Sequence, residues 1–309
     1  MNSPASRSAS SPPPVKKDSG LAASVVICTR HRPDDLRRCL KAISTLHRPP
    51  DEVLVVDNTA GDRETERAAR EVGARYVVAS VEGLSRARNL GMAESRHEIV
   101  VYVDDDAVPT GHWLEDLIEP FTDPSVAAVT GETVPPESAG ANRSHEPPRR
   151  LCNRDLHWFE IATFGGLGIG ANMALRKSAC AGLKIFDERL GRGAPFRIGE
   201  ESYAFASLIA RGYSAVHVHK AIVVHRLKPR NIAQEAKCSI AYWLLLFSEF
   251  PGHRLDLIRF LLRRLRRRPL PWPRIPQEAG DIISSSWRTR LQAAMAGILL
   301  FLRTPKPRD

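Results

Sequence analysis

Several features that define other protein classes are missing from this 309-residue sequence. Its five cysteines are odd in number and widely scattered, and no two form a CxxC pair, which argues against a disulfide framework and against a zinc ribbon. A reducing, cytoplasmic setting is therefore expected. Hydrophobic residues make up 43% of the chain, so a core of this size can be buried without such crosslinks.

Long apolar segments are missing as well. A transmembrane helix needs about 20 consecutive apolar residues, and the best stretches, 240–247 and 291–302, fall short of that length. Residues 1–21 are rich in Ser and Pro and have no apolar core of signal-peptide length. We expect a disordered tail there and no membrane-spanning anchor.

The net charge of +10 is concentrated near the C-terminus. From Arg226 onward the sequence has 17 Lys and Arg but only 6 Asp and Glu, which leaves the preceding residues close to neutral. Such a basic block favours anionic partners, namely phospholipid headgroups, phosphorylated substrates or nucleic acid. Because no recognised nucleic-acid-binding motif accompanies the charge, we expect no nucleic-acid partner.

The segment from about 24 to 130 alternates between strand-like and helix-like patterns. Short β-branched apolar runs at 24–29, 53–57, 76–79 and 98–103 are typical of buried strands. Pro33, followed by two aspartates, starts the first intervening helix. Repeated βα units predict an α/β fold with a mostly parallel sheet flanked by helices.

The rest of the chain is less regular, and residues 135–165 carry paired prolines and glycines that predict irregular structure. Further helices are predicted over 63–72, 84–93, 110–121, 177–182, 200–210, 232–250, 254–267 and 281–302, and further strands over 126–130, 169–175 and 215–225. We divide the chain into a tail (1–21), an α/β domain (22–228) and a basic helical extension (229–309). Within the extension, 269–276 is a proline-rich linker.

Polar residues follow three of the predicted strands. Thr29 and Arg30 follow the first, Asp57 ends the second, and the three aspartates 104–106 follow the fourth. Open α/β sheets bind ligands beyond the carboxyl ends of their strands. We therefore expect these side chains to share one site.

The triple aspartate is the main candidate for a metal site. Neighbouring carboxylates repel one another unless a cation neutralises them, and hard oxygen ligands suit Mg²⁺ or Mn²⁺ bound to phosphate oxygens. A solvated acidic turn is the alternative. Arg88 follows Gly83 at a predicted helix start, a place suited to anions.

These residues fall in four blocks whose order and spacing resemble glycosyltransferase family 2. The blocks are SVVICTR (24–30), VVDN (55–58), SRARNLG (85–91) and YVDDD (102–106), and the resemblance extends over roughly 22–227. Members of that family are inverting enzymes of the GT-A fold that use nucleotide-sugar donors. The resemblance thus implies a GT-A-type fold, a UDP-, dTDP- or GDP-sugar donor, and Mn²⁺ or Mg²⁺.

The resemblance also assigns roles on the donor side, and the triple aspartate looks like the DxD motif. It implies that Asp106 binds the metal, that Asp104 faces the ribose and the metal, that Asp57 meets the base, that Thr29 lies beside the nucleoside, and that Arg88 and Asn89 lie beneath the diphosphate. Arg30 and Asp105, which adjoin these residues in sequence, are included among the donor-binding candidates.

The second half of the chain carries the expected acceptor side. Residues 168–176, GIGANMALR, resemble the strand that precedes the acceptor site, and a phosphate-binding loop is disfavoured because no Lys-Ser/Thr follows Gly170 in register. The family usually has Glu-Asp where this chain has Glu200-Glu201. The resemblance therefore makes Glu201 the general base, with Glu200 in reserve, although Glu201 is one methylene longer. Alternatively, both carboxylates merely favour a helix N-terminus.

Three histidines lie on the predicted strand 215–225. His225 resembles the histidine that the family often places near the metal and the diphosphate. His217 and His219 alternate on one strand face and, with His225, could suggest zinc. No cysteine or carboxylate falls at ligand spacing beside them, so the sequence does not favour that site.

The extension contains a basic amphipathic helix over 254–268, a pattern typical of binding to an anionic membrane surface. A helical subdomain packed on the catalytic domain is the alternative. The expected protein is a peripheral enzyme at the inner face of the cell membrane. It would transfer a hexosyl or deoxyhexosyl unit to a glycan or lipid-linked acceptor in polysaccharide or cell-wall assembly.

Two other functions share a sheet of this kind. A sugar-1-phosphate nucleotidyltransferase should have a glycine-rich, Arg-containing loop after the first strand, and residues 28–33 contain no glycine. A non-catalytic nucleotide-sugar-binding or scaffold protein with a degenerate fold stays open because Glu201 departs from the family pattern.

Overall fold

The structure, a computed structural model, describes residues 20–59, 61–139, 146–164, 166–226, 232–265 and 287–306. Most of the predicted tail and the whole proline-rich linker lie outside the described residues. The strands are β1 (Ala23–Thr29), β2 (Glu52–Asp57), β3 (Arg75–Val78), β4 (Ile99–Asp104), β5 (Ala107–Pro109), β6 (Val126–Val134), β7 (Arg149–Leu151), β8 (Asn172–Arg176) and β9 (Ser214–His225).

The helices alternate with these strands through the first half of the chain and cluster toward its C-terminus. They are α1 (Pro33–Ser44), α2 (Arg63–Glu71), α3 (Leu84–Glu94), α4 (Trp113–Ile118), α5 (Trp158–Phe164), α6 (Glu200–Ala210), α7 (Ile232–Glu249), α8 (Arg254–Leu265) and α9 (Trp287–Arg303).

Local sequence accounts for the first βα units. Helix α1 begins at Pro33, whose fixed φ suits a first turn, and its early aspartates complement the positive end of the helix dipole. Asp62 caps α2, because its side chain accepts a hydrogen bond from the backbone N–H of Glu64. Gly73 follows α2 at φ 70°, a left-handed conformation that favours glycine.

The sheet order brings several strand ends to one edge. The order is β3-β2-β1-β4-β8-β6-β9-β5, with β7 paired to β9. Strand β1 is parallel to β2 and β4, whereas β8 runs antiparallel between β4 and β6. Strand β6 therefore points in the same direction as β4, and β9 is parallel to β6. The carboxyl ends of β1, β2, β4, β6 and β9 share the edge where ligands of such sheets bind.

This architecture confirms the predicted α/β fold, but three segments differ from expectation. Residues 135–165 contain β7 and α5, and β7 is too short to give a periodic signal. The helix expected over 110–121 stops at Ile118 and continues as a 3₁₀ turn that contains Pro120. The helix expected over 177–182 is only the 3₁₀ turn Ser178–Cys180.

The start of the C-terminal extension shares the core of the α/β domain. On α7, Tyr242, Leu245 and Leu246 are buried in the same apolar cluster as residues of β4 and β8. Burial of each leucine stabilises the fold by about 1.5–3 kcal/mol. In the described parts of the chain, no helix is both long enough and apolar enough to span a bilayer.

Candidate active site

The predicted DxD motif lies where β4 ends. Asp104 is the last residue of β4, and a two-residue turn leads into β5. Strand β5 pairs with the end of β9, so that Ala107 lies opposite His225. The Nε2 atom of His225 is therefore 2.9 Å from Oδ1 of Asp106 and 4.0 Å from Oδ2 of Asp104. The structure thus brings together the three residues that the sequence predicts as metal ligands.

The donor atoms of this cluster fit a divalent cation. One ligand atom each from Asp104, Asp106 and His225 lies within 4.8 Å of the others. An octahedral ion with bonds of about 2.1 Å has neighbouring ligand atoms about 3 Å apart, close to the spacing between Asp106 and His225. Two carboxylates and an imidazole are a donor set that Mn²⁺ accepts.

The middle aspartate has a different position. Asp105 is buried, and its carboxylate accepts a hydrogen bond of 2.7 Å from Thr29 Oγ1 and pairs with Arg32 Nη1 at 2.8 Å. Burial raises the pKa of the Asp105 carboxyl to about 6, while Arg32 and Thr29 oppose that rise. These contacts give Thr29 and Asp105 a role in joining β1 to the end of β4.

Sequence reasoning missed Arg32. Its Nη1 atom also lies 3.0 Å from Oδ2 of Asp106, so one guanidinium steadies both Asp105 and Asp106. The sequence signals Arg32 only as a second arginine in the loop after β1. The prediction places Arg30, two residues earlier, among the donor-binding residues. Arg30 instead pairs with Glu82 and is about half exposed.

Arg88 connects the two halves of the site. It is buried on α3, its Nη1 donates to Glu200 Oε1 at 2.9 Å, and its Nη2 lies 3.5 Å from Asp104 Oδ1. Burial alone would lower the pKa of Arg88, but the carboxylates of Glu200 and Asp104 outweigh it and raise that pKa. A Cβ at Gly170 would lie 2.4 Å from Arg88 Nη2, so this glycine leaves room for the guanidinium.

The predicted base lies at the N-terminus of α6. Glu200 accepts a hydrogen bond from Arg88, whereas Oε2 of Glu201 is buried with no hydrogen-bond partner among the described residues. Burial and the neighbouring Glu200 raise the pKa of Glu201 to about 8. Gly199 precedes both at φ 84°, and Tyr242 of α7 packs so closely that a Cβ there would lie 2.7 Å from its ring.

Comparison with known proteins identifies the family. The sequence profile described as glycosyl transferase family 2 matches residues 24–183, more than half of the chain. The chain belongs to glycosyltransferase family 2. Glycosyltransferase AglE of Haloferax volcanii is 30% identical over 72% of this chain and 74% of its own length. The succinoglycan biosynthesis protein ExoM of Rhizobium meliloti is 28% identical over 70% of each chain.

Solved structures agree with this assignment at the level of the fold. Mannosyltransferase PcManGT from Pyrobaculum calidifontis, solved with GDP-Man and Mn²⁺, covers 95% of this chain and 91% of its own, with a TM-score of 0.58 and 17% sequence identity. The GT-A fold and the glycosyltransferase class predicted from the sequence are confirmed. The family assignment therefore favours a glycosyltransferase over a sugar-1-phosphate nucleotidyltransferase.

Two other residues expected on the donor side of this family 2 enzyme have structural partners. Both oxygens of the buried Asp57 accept hydrogen bonds, one from Thr59 and the other from the backbone N–H of Asp62 and the hydroxyl of Tyr76. Asn89 bonds through its amide to the backbone N–H and C=O of Phe186. Asp57 therefore shapes the loop after β2, and Asn89 anchors the chain that precedes α6.

Proposed function

We propose that this family 2 glycosyltransferase moves one hexosyl or deoxyhexosyl unit, with inversion, from a nucleoside-diphosphate sugar to a hydroxyl of a glycan or lipid-linked acceptor. The observation that carries the proposal is the continuous arrangement from the Asp104–Asp106–His225 cluster, through buried Arg88, to Glu200 and Glu201. This arrangement supports a site for a charged leaving group next to a site for a base.

The donor half of the proposal concerns the diphosphate. Asp104, Asp106 and His225 would hold Mn²⁺ or Mg²⁺, and the cation neutralises negative charge on the diphosphate when it is bound. Arg32 holds the Asp106 carboxylate at 3.0 Å, which orients it before any ligand arrives. The GDP-Man and Mn²⁺ named for PcManGT support the donor and cation classes.

The acceptor half concerns the proton. Glu200 already accepts a hydrogen bond from Arg88, whereas Oε2 of Glu201 has no hydrogen-bond partner among the described residues, which supports Glu201 as the base. Glu201 takes the hydroxyl proton as the acceptor oxygen bonds to the anomeric carbon and the bond from that carbon to the diphosphate oxygen breaks. A single displacement of this kind inverts the anomeric centre. A base with a pKa near the working pH is well matched to the step.

Two further parts of the proposal concern the acceptor and the location. ExoM is a succinoglycan biosynthesis protein, which supports a glycan or lipid-linked acceptor in polysaccharide assembly. Exposed apolar side chains on α8 and α9 lie among exposed arginines, which supports peripheral attachment to an anionic membrane surface. On this proposal residues 22–228 form the catalytic domain and 229–309 the extension that attaches to the membrane.

Calorimetric titration of the full chain with UDP, GDP and dTDP, with and without Mn²⁺, tests the donor site. We expect one nucleotide to bind in a Mn²⁺-dependent manner and the binding to be lost in Asp106→Ala. Glu71→Gln, which alters an exposed carboxylate on α2, is the matched control and should bind as the native chain does. If no nucleotide binds under either condition, the metal–diphosphate site is wrong. Nucleotide binding without transfer would favour a non-catalytic binding protein.

A further inference from the structure

A second cluster of metal-type ligands lies on β6 and β9, away from the DxD motif. His217 and His219 project from the same face of β9, and the ring centroids are 4.6 Å apart. Glu132 of the neighbouring strand β6 places its Oε2 3.4 Å from His217 Nε2 and 3.5 Å from His219 Nδ1. No carboxylate lies at ligand spacing beside these histidines in the sequence. The fold supplies one from Glu132, which is 85 residues before His217.

The pairing of β6 with β9 explains why Glu132 meets both rings. Gly131 lies opposite Val218, but Glu132 lies opposite Ile222, so β9 has three extra residues at this point. A bulge of this kind re-aims side chains. It leaves His219 in the bulged segment, facing the neighbouring strand.

The hydrogen bonds around His217 fix which nitrogen is available. Thr130 Oγ1 donates its single hydrogen to the carbonyl oxygen of Leu167 at 2.7 Å. It must therefore accept from His217 Nδ1, which lies 2.9 Å away. Nε2 is then the ring nitrogen that faces Oε2 of Glu132, 3.4 Å away, and its lone pair and that oxygen could bind one cation between them.

The distances fit a tetrahedral ion. Zinc bonds of about 2.0–2.1 Å to nitrogen and oxygen place neighbouring ligand atoms about 3.3–3.4 Å apart, and the spacings from Glu132 to the two rings are 3.4 and 3.5 Å. The Nε2 atom of His219 has no hydrogen bond among the described residues, and Glu146 Oε2 lies 3.4 Å from it. Metal-bound histidines commonly direct the second ring nitrogen to a carboxylate.

We propose that Glu132, His217 and His219 form a second metal site, for Zn²⁺, separate from the Asp104–Asp106–His225 cluster. Three protein ligands leave a fourth position for water or a substrate group. Thr130 bonds to the second nitrogen of the His217 ring, and the carboxylate of Glu146 lies 3.4 Å from that of the His219 ring. The ion ties β6 to β9 beside the bulge, on the strand that carries His225 at its end.

Tag-free full-length protein, stripped with a chelator and titrated with Zn²⁺ by calorimetry, tests the site. The Asp106→Asn variant, which disables the other cluster, should still bind one equivalent of Zn²⁺, and Co²⁺ in its place should give the visible absorption of a tetrahedral ion. Adding His219→Gln or Glu132→Gln to that variant should raise the Kd at least tenfold. His112→Gln, at a largely exposed histidine, is the matched control and should change nothing.

The proposal is overturned if Asp106→Asn binds no Zn²⁺, or if its combinations with His219→Gln and Glu132→Gln bind Zn²⁺ as tightly as Asp106→Asn does. Circular dichroism shows whether each variant is folded, and two independent ligand substitutions keep the test valid if one of them is not. The result does not depend on the proposed transferase chemistry, because Zn²⁺ binding is measured without nucleotide, sugar or acceptor.

Discussion

Glu201 differs from the residue that the family usually has at this position by one methylene, and its surroundings make the difference testable. Its Oε2 is buried without a hydrogen-bond partner among the described residues, while its neighbour Glu200 is fixed by Arg88. If Glu201 is the base, Glu201→Gln should lower kcat by roughly 10²–10⁴-fold. Mn²⁺-dependent nucleotide binding should be unchanged, as measured by calorimetry.

The matched control for this substitution is Glu188→Gln, which removes a carboxylate that pairs with exposed Arg86 and not with Arg88. Its kcat should stay within twofold of the native value. A Glu201→Gln variant with native kcat would contradict the assignment, and an equal loss in Glu200→Gln alone would move the base to the reserve candidate.

The raised pKa of Glu201 predicts how activity depends on pH. Burial, followed by the charge of Glu200, raises this pKa to about 8, so the carboxyl is mostly protonated at pH 7 and cannot accept a proton. Because the base must be ionised, kcat/KM should rise with pH and level off above about 8. Initial rates measured from pH 6 to 9 test this. A plateau already reached at pH 6 would be inconsistent with Glu201 as the base in this environment.

The same group predicts that the stability of the fold decreases as the pH rises, whereas the activity increases. The folded-state pKa of Glu201 lies above that of an unfolded glutamate, so the folded protein binds the extra proton. Its contribution to the free energy of unfolding is complete below about pH 4 and is lost as the pH rises through about 8. Thermal unfolding should show a decline over this range that is smaller in Glu201→Gln.

At the scale of secondary-structure elements, Arg88 and Gly170 lie between the proposed donor and acceptor sides. Arg88 extends from α3 to Asp104 at the end of β4 and to Glu200 at the start of α6. Gly170, in the loop before β8, permits this because a Cβ would lie 2.4 Å from the guanidinium. Gly170 of the GIGAN segment therefore provides space for the arginine, whereas Gly168 approaches Thr130.

Gly170→Ala should consequently displace Arg88 and weaken its contacts with both carboxylates. We expect loss of stability of about 1–3 kcal/mol, the usual cost of overpacking, and a fall in kcat. Denaturant unfolding and steady-state rates measure the two effects. Gly252→Ala is the control, because a Cβ there meets no atom within 4 Å. Equal effects of the two substitutions would show that the contact between Gly170 and the guanidinium does not position Arg88.

The sequence predicted the strands at the rim better than it predicted side-chain partners. Runs such as β1 and β4 are apolar and β-branched, so their ends could be located, and with them Asp104 and Asp106. The sequence could not show that both carboxylate oxygens of Asp57 accept hydrogen bonds within the protein. Nor could it show that the side-chain amide of Asn89 bonds to the backbone of Phe186. Nor could it pair Glu132 with His217, because that contact depends on which strands become neighbours in the sheet and on a bulge.

At the scale of the whole molecule, the C-terminal helices combine packing with exposure. One face of helix α7 packs in the core of the α/β fold, but α8 exposes Leu255, Ile258, Leu261 and Leu262, and α9 exposes Met295, Ile298, Leu299 and Leu302. Exposed apolar residues in such numbers mark an interaction surface. Arg254 and Arg259 are exposed on α8 as well, and both the apolar and the basic side chains support the anionic lipid surface that we propose as partner.

Vesicle co-sedimentation of the full chain tests this surface. We expect binding to vesicles that contain anionic lipid, weaker binding to neutral vesicles, and a decrease at high salt because charges near a membrane are screened. Since transfer of a buried leucine contributes about 1.5–3 kcal/mol, Leu261→Ser with Leu262→Ser should weaken partitioning at least tenfold. Val72→Ser, at an equally exposed valine beside α2, is the control. If the double variant binds anionic vesicles as the native chain does, these helices do not form the membrane-binding surface.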